Sequence, residues 1–194
     1  MLVLRVALLI ASAVGLSDAD LADALSGNVP ARTETFTAPN GKSAGRGVGA
    51  ILIWRRIEDV WATLSRYEDK AEYQPRVESV TILERQADRI RARFVVDATI
   101  TTARYTAWFV LDPKQHTIHW TLDSSATDNT IAATEGDYRM FEVAPNQTLV
   151  VYRSYVDSGR AVSKAIQNYF ARKAIPNLLN AIKKRVESGG TYKK

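Results

Sequence analysis

The sequence predicts an α+β domain: a curved antiparallel β-sheet wrapped around a long C-terminal helix, with a cavity between sheet and helix. Three observations predict it. Apolar residues alternate at period two from Val77 to Val156, and an apolar stripe at helical spacing runs through Ala161–Glu187. The third is that a broad apolar helix face must be buried, and the inner face of the sheet is the one large apolar surface on offer. A strongly curved sheet gripping one helix leaves space that side chains do not fill. The chain has 194 residues, 46% hydrophobic and 24% charged, which suits one substantial core and excludes disordered and multi-pass membrane classes. It has no Cys, which removes disulfides, thiolate metal sites and a Cys nucleophile, and its 2 His leave little for zinc or acid–base chemistry.

Residues 1–19 read as a cleavable secretory signal, with an uncleaved anchor or a structural N-terminal helix as the alternatives. Arg5 precedes an apolar run from Val6 to Leu16, which is too short for the roughly 20 residues a membrane-spanning helix needs. Small residues follow in Ala11-Ser12-Ala13 and Ser17-Asp18-Ala19, placing cleavage between Ala13 and Ala19. No Cys follows the run, so a lipoprotein anchor is excluded. The mature protein is therefore expected in a periplasm or secreted. Residues 20–45 form a polar lead-in with Pro30, Pro39 and Asn40-Gly41, in which Arg32–Thr37 alternates enough for an edge strand.

The domain proper is expected over 46–188, followed by a tail at 189–194. Gly47–Trp54 is a buried strand, and Ile57–Tyr73 is a helix with Ile57, Val60, Trp61, Leu64 and Tyr67 on one face, ended by Pro75. Then come the alternating runs. Ile90, Ala92, Phe94 and Val96 share a face, as do Ala103, Tyr105, Ala107, Phe109 and Leu111, and as do Ile118, Trp120 and Leu122. Tyr138–Val143 and Thr148–Val156 complete a meander, with turns at Gln86-Ala87-Asp88, Asp112-Pro113, Asp128-Asn129 and Pro145-Asn146. Polar residues on the other parity give a sheet with one wet face. For Leu149–Tyr155 the inward pair is either Val150 and Tyr152 or Val151 and Tyr155. Pro176 interrupts the terminal helix and kinks it. The triplet Asn146-Gln147-Thr148 fits a glycosylation sequon or simply a turn.

Ala50–Glu84 (AILIWRRIEDVWATLSRYEDKAEYQPRVESVTILE) resembles the opening of the START-like, helix-grip superfamily. This is the polyketide cyclase/dehydrase and lipid-transport group, which includes coenzyme-Q-binding proteins. Glu58-Asp59-Val60-Trp61, Tyr67-Glu68, Glu72-Tyr73-Gln74-Pro75, Ile118-His119-Trp120, Gly136–Met140 and Thr148–Tyr152 carry the resemblance, which extends over Val48–Ser188. Arg55-Arg56 stand where the family has a small or proline-containing turn. The resemblance implies a deep apolar cavity that holds sterols, phospholipids, quinones or other hydrophobes, or in some members cyclises polyketides. Fold alone does not choose among these.

Chemical motifs are sparse. Asn40-Gly41-Lys42-Ser43 fails as a phosphate loop because Phe36 stands where glycine is required, and Gly45, Gly47 and Gly49 lead into a strand, as close backbone packing requires. His116 and His119 fall on opposite strand faces. Asp97, Glu135 and Glu142 read as partners of outer-face arginines, with Glu142 the exception because it shares parity with Tyr138 and Met140. The informative set is a cavity wall: Phe94, Val96, Tyr105, Phe109, Trp120, Tyr138, Met140 and Tyr152 on the sheet, and Ile166, Phe170, Ala174 and Leu178 on the helix. From Gly159 onward nine cations face one acid, a net of +8, leaving −3 for the rest of a chain of net charge +5. A basic helix over an apolar cavity suits transient contact with an anionic membrane, each cation adding about 1 kcal/mol. No interleaved aromatic and basic groove argues for nucleic acid. No cofactor is expected. The expected function is binding, and transport, of a hydrophobic small molecule, with a cyclase or dehydratase using Tyr, Arg or Glu groups as the alternative.

Overall fold

In the computed structural model, residues 16–38, 41–98, 101–159 and 170–194 are described. The N-terminal apolar run up to Gly15 and the first part of the expected terminal helix, residues 161–169, lie outside them. The elements are α1 (Asp18–Leu25), β1 (Ala31–Thr37), β2 (Ser43–Ile53), α2 (Ile57–Ser65), α3 (Lys70–Tyr73), β3 (Val77–Arg85), β4 (Arg89–Asp97), β5 (Thr102–Asp112), β6 (Thr117–Leu122), β7 (Ala133–Ala144), β8 (Gln147–Asp157), a π-helical turn (Phe170–Ala174) and α4 (Ile175–Glu187).

Hairpins dictate the topology. β3 to β8 form a meander and β1–β2 a second hairpin, and β8 pairs back onto β2 to give one antiparallel sheet in the order β1-β2-β8-β7-β6-β5-β4-β3. The chain therefore crosses from the second strand of the sheet to its far edge, and α2 and α3 make that crossing. Register shifts at Val77/Ser79, Ile82/Glu84 and Glu142/Ala144 insert bulges, which bend strands and increase their twist. The result is the helix-grip α+β arrangement, with the sheet curved toward α4.

Glycine decides where α4 sits. A side chain on Gly47 or Gly49 would overlap Ile175, and on Gly49 also Leu179, so only glycines on β2 let the helix approach this closely. Pro176 is the second residue of α4, where its missing N–H costs little, and a π turn precedes it instead of a simple bend. Glu187 then ties the end of α4 to β2: its Oε1 accepts from the Trp54 N–H at 2.9 Å and its carbonyl from Arg55 at 2.6 Å.

Three expectations change. The single helix over Ile57–Tyr73 is two, because the chain leaves helical geometry at Arg66 (φ −86°, ψ 99°), which turns Tyr67 into the core. The outer face of the sheet is not uniformly wet. Leu16, Leu21 and Ala24 cover Val48, Ala50, Leu52, Leu149 and Val151 there, forming a second apolar core. The helix that covers them, α1, lies where the sequence suggests only leader and lead-in; its N-cap is Ser17, whose side chain accepts from the Asp20 N–H at 3.1 Å. Finally, Glu142 is exposed: it keeps step with Tyr138 and Met140, pairing with Thr148, but lies two residues from the end of β7.

The tail past Gly189 is part of the structure. The Lys194 N–H donates to the Glu72 carbonyl at 3.0 Å, and its ammonium donates to the Gln74 carbonyl at 3.0 Å.

Candidate ligand-binding site

Strand alternation delivers one aromatic residue after another to the concave face. The rings form a continuous series across five strands. Phe94 on β4 stacks on Tyr105 of β5 with centroids 5.5 Å apart and 5° between planes, and lies 5.5 Å from Phe109. Phe109 meets Trp120 on β6 at 6.2 Å, and Trp120 meets Tyr138 on β7 at 5.6 Å and Tyr152 on β8 at 5.8 Å. Tyr138 and Tyr152 close the series at 5.0 Å. Offset and tilted ring pairs of this kind are favoured over face-to-face sandwiches. Gly136, opposite Trp120 in the register, makes room: a side chain there would overlap the indole ring and the Arg153 carbonyl.

The sheet residues expected in the wall are thus brought together. Phe94, Phe109, Trp120, Tyr138 and Met140 are buried, while Val96, Tyr105 and Tyr152 stay half-buried against them. Tyr152 and Val150 face inward, which resolves the parity of β8; Val151 faces the outer core, and Tyr155 packs against Phe36 at 5.1 Å. From the helix, Leu178 packs on the same core and Ala174 ends the π turn half-buried. Phe170 begins that turn, and Ile166 lies outside the described residues.

Polar groups reach this face from the crossing segment. Tyr67 touches Phe109 at 4.5 Å and Phe94 at 6.3 Å between ring centroids. Burial raises the phenol pKa of Tyr67, Tyr73, Tyr105, Tyr138 and Tyr152 above the ordinary value, because an ionised phenolate would lose its water. The Tyr73 hydroxyl and the Gln74 side chain are buried beside each other, and among the described residues neither the hydroxyl nor the amide nitrogen completes a hydrogen bond of good geometry.

Lys70 is the group that sequence reasoning missed. It is 2% exposed, and its ammonium donates to the Leu64 carbonyl at 2.8 Å, over the ring of Tyr67 at 4.3 Å. Burial lowers its pKa to about 7, opposed by the nearby Glu68 charge. In the run Arg66–Lys70 it looks like one more solvated cation. No signal in the run could have found it, because the helix ends before Arg66 and helical spacing does not carry across that break.

Several other groups lie elsewhere. Asp97 is exposed, Glu135 is half-buried, and Asp137 holds Arg153 at 2.8 Å and Arg139 at 3.2 Å. His119 is exposed, and His116, at a turn with φ +48°, packs edge-on to Trp61 at 5.8 Å. Among the described residues no cluster of His, Asp or Glu could hold a metal ion. A shallow, open depression lined by Ala62, Ser65, Arg66, Glu68, Asp69 and Arg85 lies off the aromatic wall. The basic C-terminus is largely tied down. Lys183 donates to the Leu52 carbonyl, buried Arg185 pairs with Asp69 at 3.4 Å and Glu72 at 3.1 Å, and Lys193 pairs with Glu72 at 3.4 Å. Arg172 and Lys173 remain exposed.

Residues 48–187 match the family described as polyketide cyclase / dehydrase and lipid transport, which is most of the chain and all of the inner wall. The chain belongs to that family. Among solved structures it is similar to a STAR-related lipid transfer protein from Xanthomonas axonopodis (TM-score 0.66, 11% identity, 82% of this chain and 93% of that one). It is also similar to human StAR-related lipid transfer protein 5 (TM-score 0.63, 10% identity, 95% and 98% covered). The Zhui aromatase/cyclase from a Streptomyces species is a third (TM-score 0.60, 18% identity, 73% and 93% covered). At such identities these likenesses establish the fold. No curated protein matches the sequence. The family includes both lipid carriers and enzymes, and its members bind hydrophobic ligands.

Proposed function

We propose that this protein binds and carries a hydrophobic small molecule, such as a lipid, sterol or quinone, between the concave sheet and the C-terminal helix. The observation that carries the reading is the unbroken aromatic wall across β4 to β8, with the phenols of Tyr105, Tyr138 and Tyr152 set into it. Binding there would rest on desolvation, about 25 cal/mol for each Å² of apolar ligand surface buried, before association costs.

Export from the cytoplasm is supported by the short N-terminal apolar run and its small residues. Within that reading, cleavage follows Ala13, not Ala19. A cut after Ala19 would remove Leu16, which is 7% exposed in the outer core, and Ser17, the cap of α1. Membrane contact would use the exposed cations Arg172 and Lys173.

Native mass spectrometry of the mature protein, before and after exposure to a lipid panel, tests these points together. The expected result is a copurifying or transferable hydrophobe and an N-terminus near Val14. A protein that takes up none of the panel defeats the carrier reading.

A cyclase or dehydratase is the second reading. It is favoured by the presence of Lys70 beside Tyr67 and Tyr138, titratable groups meeting on an apolar face. Turnover of an aromatic polyketide mimic that disappears in Lys70→Met would establish it.

A further inference from the structure

Among the described residues Lys70 forms no ion pair, although the charge of nearby Glu68 acts on it. Among the described residues the neighbouring carboxylates are engaged elsewhere: Glu68 with Arg85, and Asp69 and Glu72 with Arg185. Its ammonium carries three donors, and one acceptor, the Leu64 carbonyl, is hydrogen-bonded to it. The remaining capacity lies over the face of Tyr67 at 4.3 Å and within 5.9 Å of the Tyr138 ring. Both rings belong to the aromatic wall. Capping α2 accounts for one N–H, but a solvated side chain would cap as well without burial. A cation removed from water and left without an anion is costly.

Resting on the carrier reading above, we propose that Lys70 anchors the carboxylate head of an acidic amphiphile whose apolar tail lies along the wall from Tyr138 to Phe94. The carboxylate would supply an ion-pair partner, and the tail the apolar contact. Because the free amine titrates near pH 7, docking an anion would draw a proton onto it. The titratable and charged groups around it are Tyr67 and Glu68 on the preceding turn, Tyr73 on its own helix, Tyr138 on β7 with Tyr105 and Tyr152 beyond, and Arg185 on α4. The phenols stay neutral through the relevant range, and Glu68 and Arg185 keep their partners, so Lys70 sets the pH response.

The test is displacement of the neutral fluorophore 1-aminoanthracene by dodecanoate and by dodecanol, matched in chain length. Wild type should prefer the acid by about tenfold, in line with a hydrogen bond to a charged group, and the preference should shrink as pH rises from 6 to 9. Lys70→Met should abolish the preference, bringing the acid and the alcohol to equal competition. Lys70→Gln, which retains a donor for Leu64, should do the same and guards against a folding defect in the first variant. Equal competition by acid and alcohol in wild type overturns the anchor and leaves the carrier intact. A preference that survives both substitutions, or that ignores pH, also overturns it. Failure of the fluorophore and both amphiphiles to bind overturns the carrier reading and this proposal with it.

Discussion

The two faces of the sheet are built on different chemistry. The outer patch under α1 is built mostly of aliphatic residues, Leu16, Leu21, Val48, Leu52, Val143, Leu149 and Val151, with Phe141 packed against them. The inner face is aromatic and carries buried phenols and a buried amine. Buried polar groups cost free energy unless satisfied, so the inner face is the poorer choice if stability were its only task. The outer patch does what a core needs, and the inner one is furnished to meet something else.

The largest test of that contrast is Leu149→Ala. Leu149 is fully buried on the outer face, so its truncation should cost about 3 kcal/mol in urea unfolding. Ligand affinity, measured on the folded fraction, should stay unchanged. A large loss of affinity would merge the two faces into one functional unit.

Gly136→Ala comes next. The added methyl meets the Trp120 ring and the Arg153 backbone, and overpacking of this kind costs about 1–3 kcal/mol. Unlike the outer variant it should also change which ligand lengths bind, because Trp120 must shift within the wall.

Stability against pH separates the two faces without mutation. Lys70 is held near pH 7 in the fold and titrates near its ordinary value when unfolded. Between those limits the unfolded chain binds more protons, so stability rises with pH, by at most about 1.4 kcal/mol per unit. Above about pH 10 the sign reverses, because unfolded tyrosines ionise while buried Tyr67 and Tyr138 resist. Urea midpoints should therefore peak near pH 9–10, and Lys70→Met should flatten the rising limb alone. A wild-type profile flat from pH 7 to 10 would place the amine in water.

The smallest effect belongs to Ser17→Ala, which removes the cap of α1 and should cost about 1 kcal/mol. The loss should show as faster amide exchange in α1 and the strand ends beneath it, with the inner face unaffected.

Much of the wall is legible in the sequence, because strand parity is a local property. Phe94, Tyr105, Phe109 and Trp120 fall inward by simple alternation, and the fold stacks them as neighbours. Parity holds at Glu142, but parity does not tell that this position near the end of β7 is exposed; parity is undecided for β8, whose strand is apolar on both parities because both of its faces are covered. Lys70 is illegible for another reason. Burial of a charge depends on how the chain breaks at Arg66 and what lies across from it, and neither is written in the run of residues around it.

The sequence by itself determined the alternating strands, the terminal apolar helix and the aromatic content of one face, since each follows from side-chain period within a single segment. Tertiary structure decided which residues share an environment. It placed α1 over the outer face, seated α4 against Gly47 and Gly49, tied down the C-terminal cations that looked free, and buried one lysine among tyrosines. The physical reason is that periodicity fixes the direction a side chain takes from its own backbone, whereas solvation and charge pairing depend on segments far away in the chain.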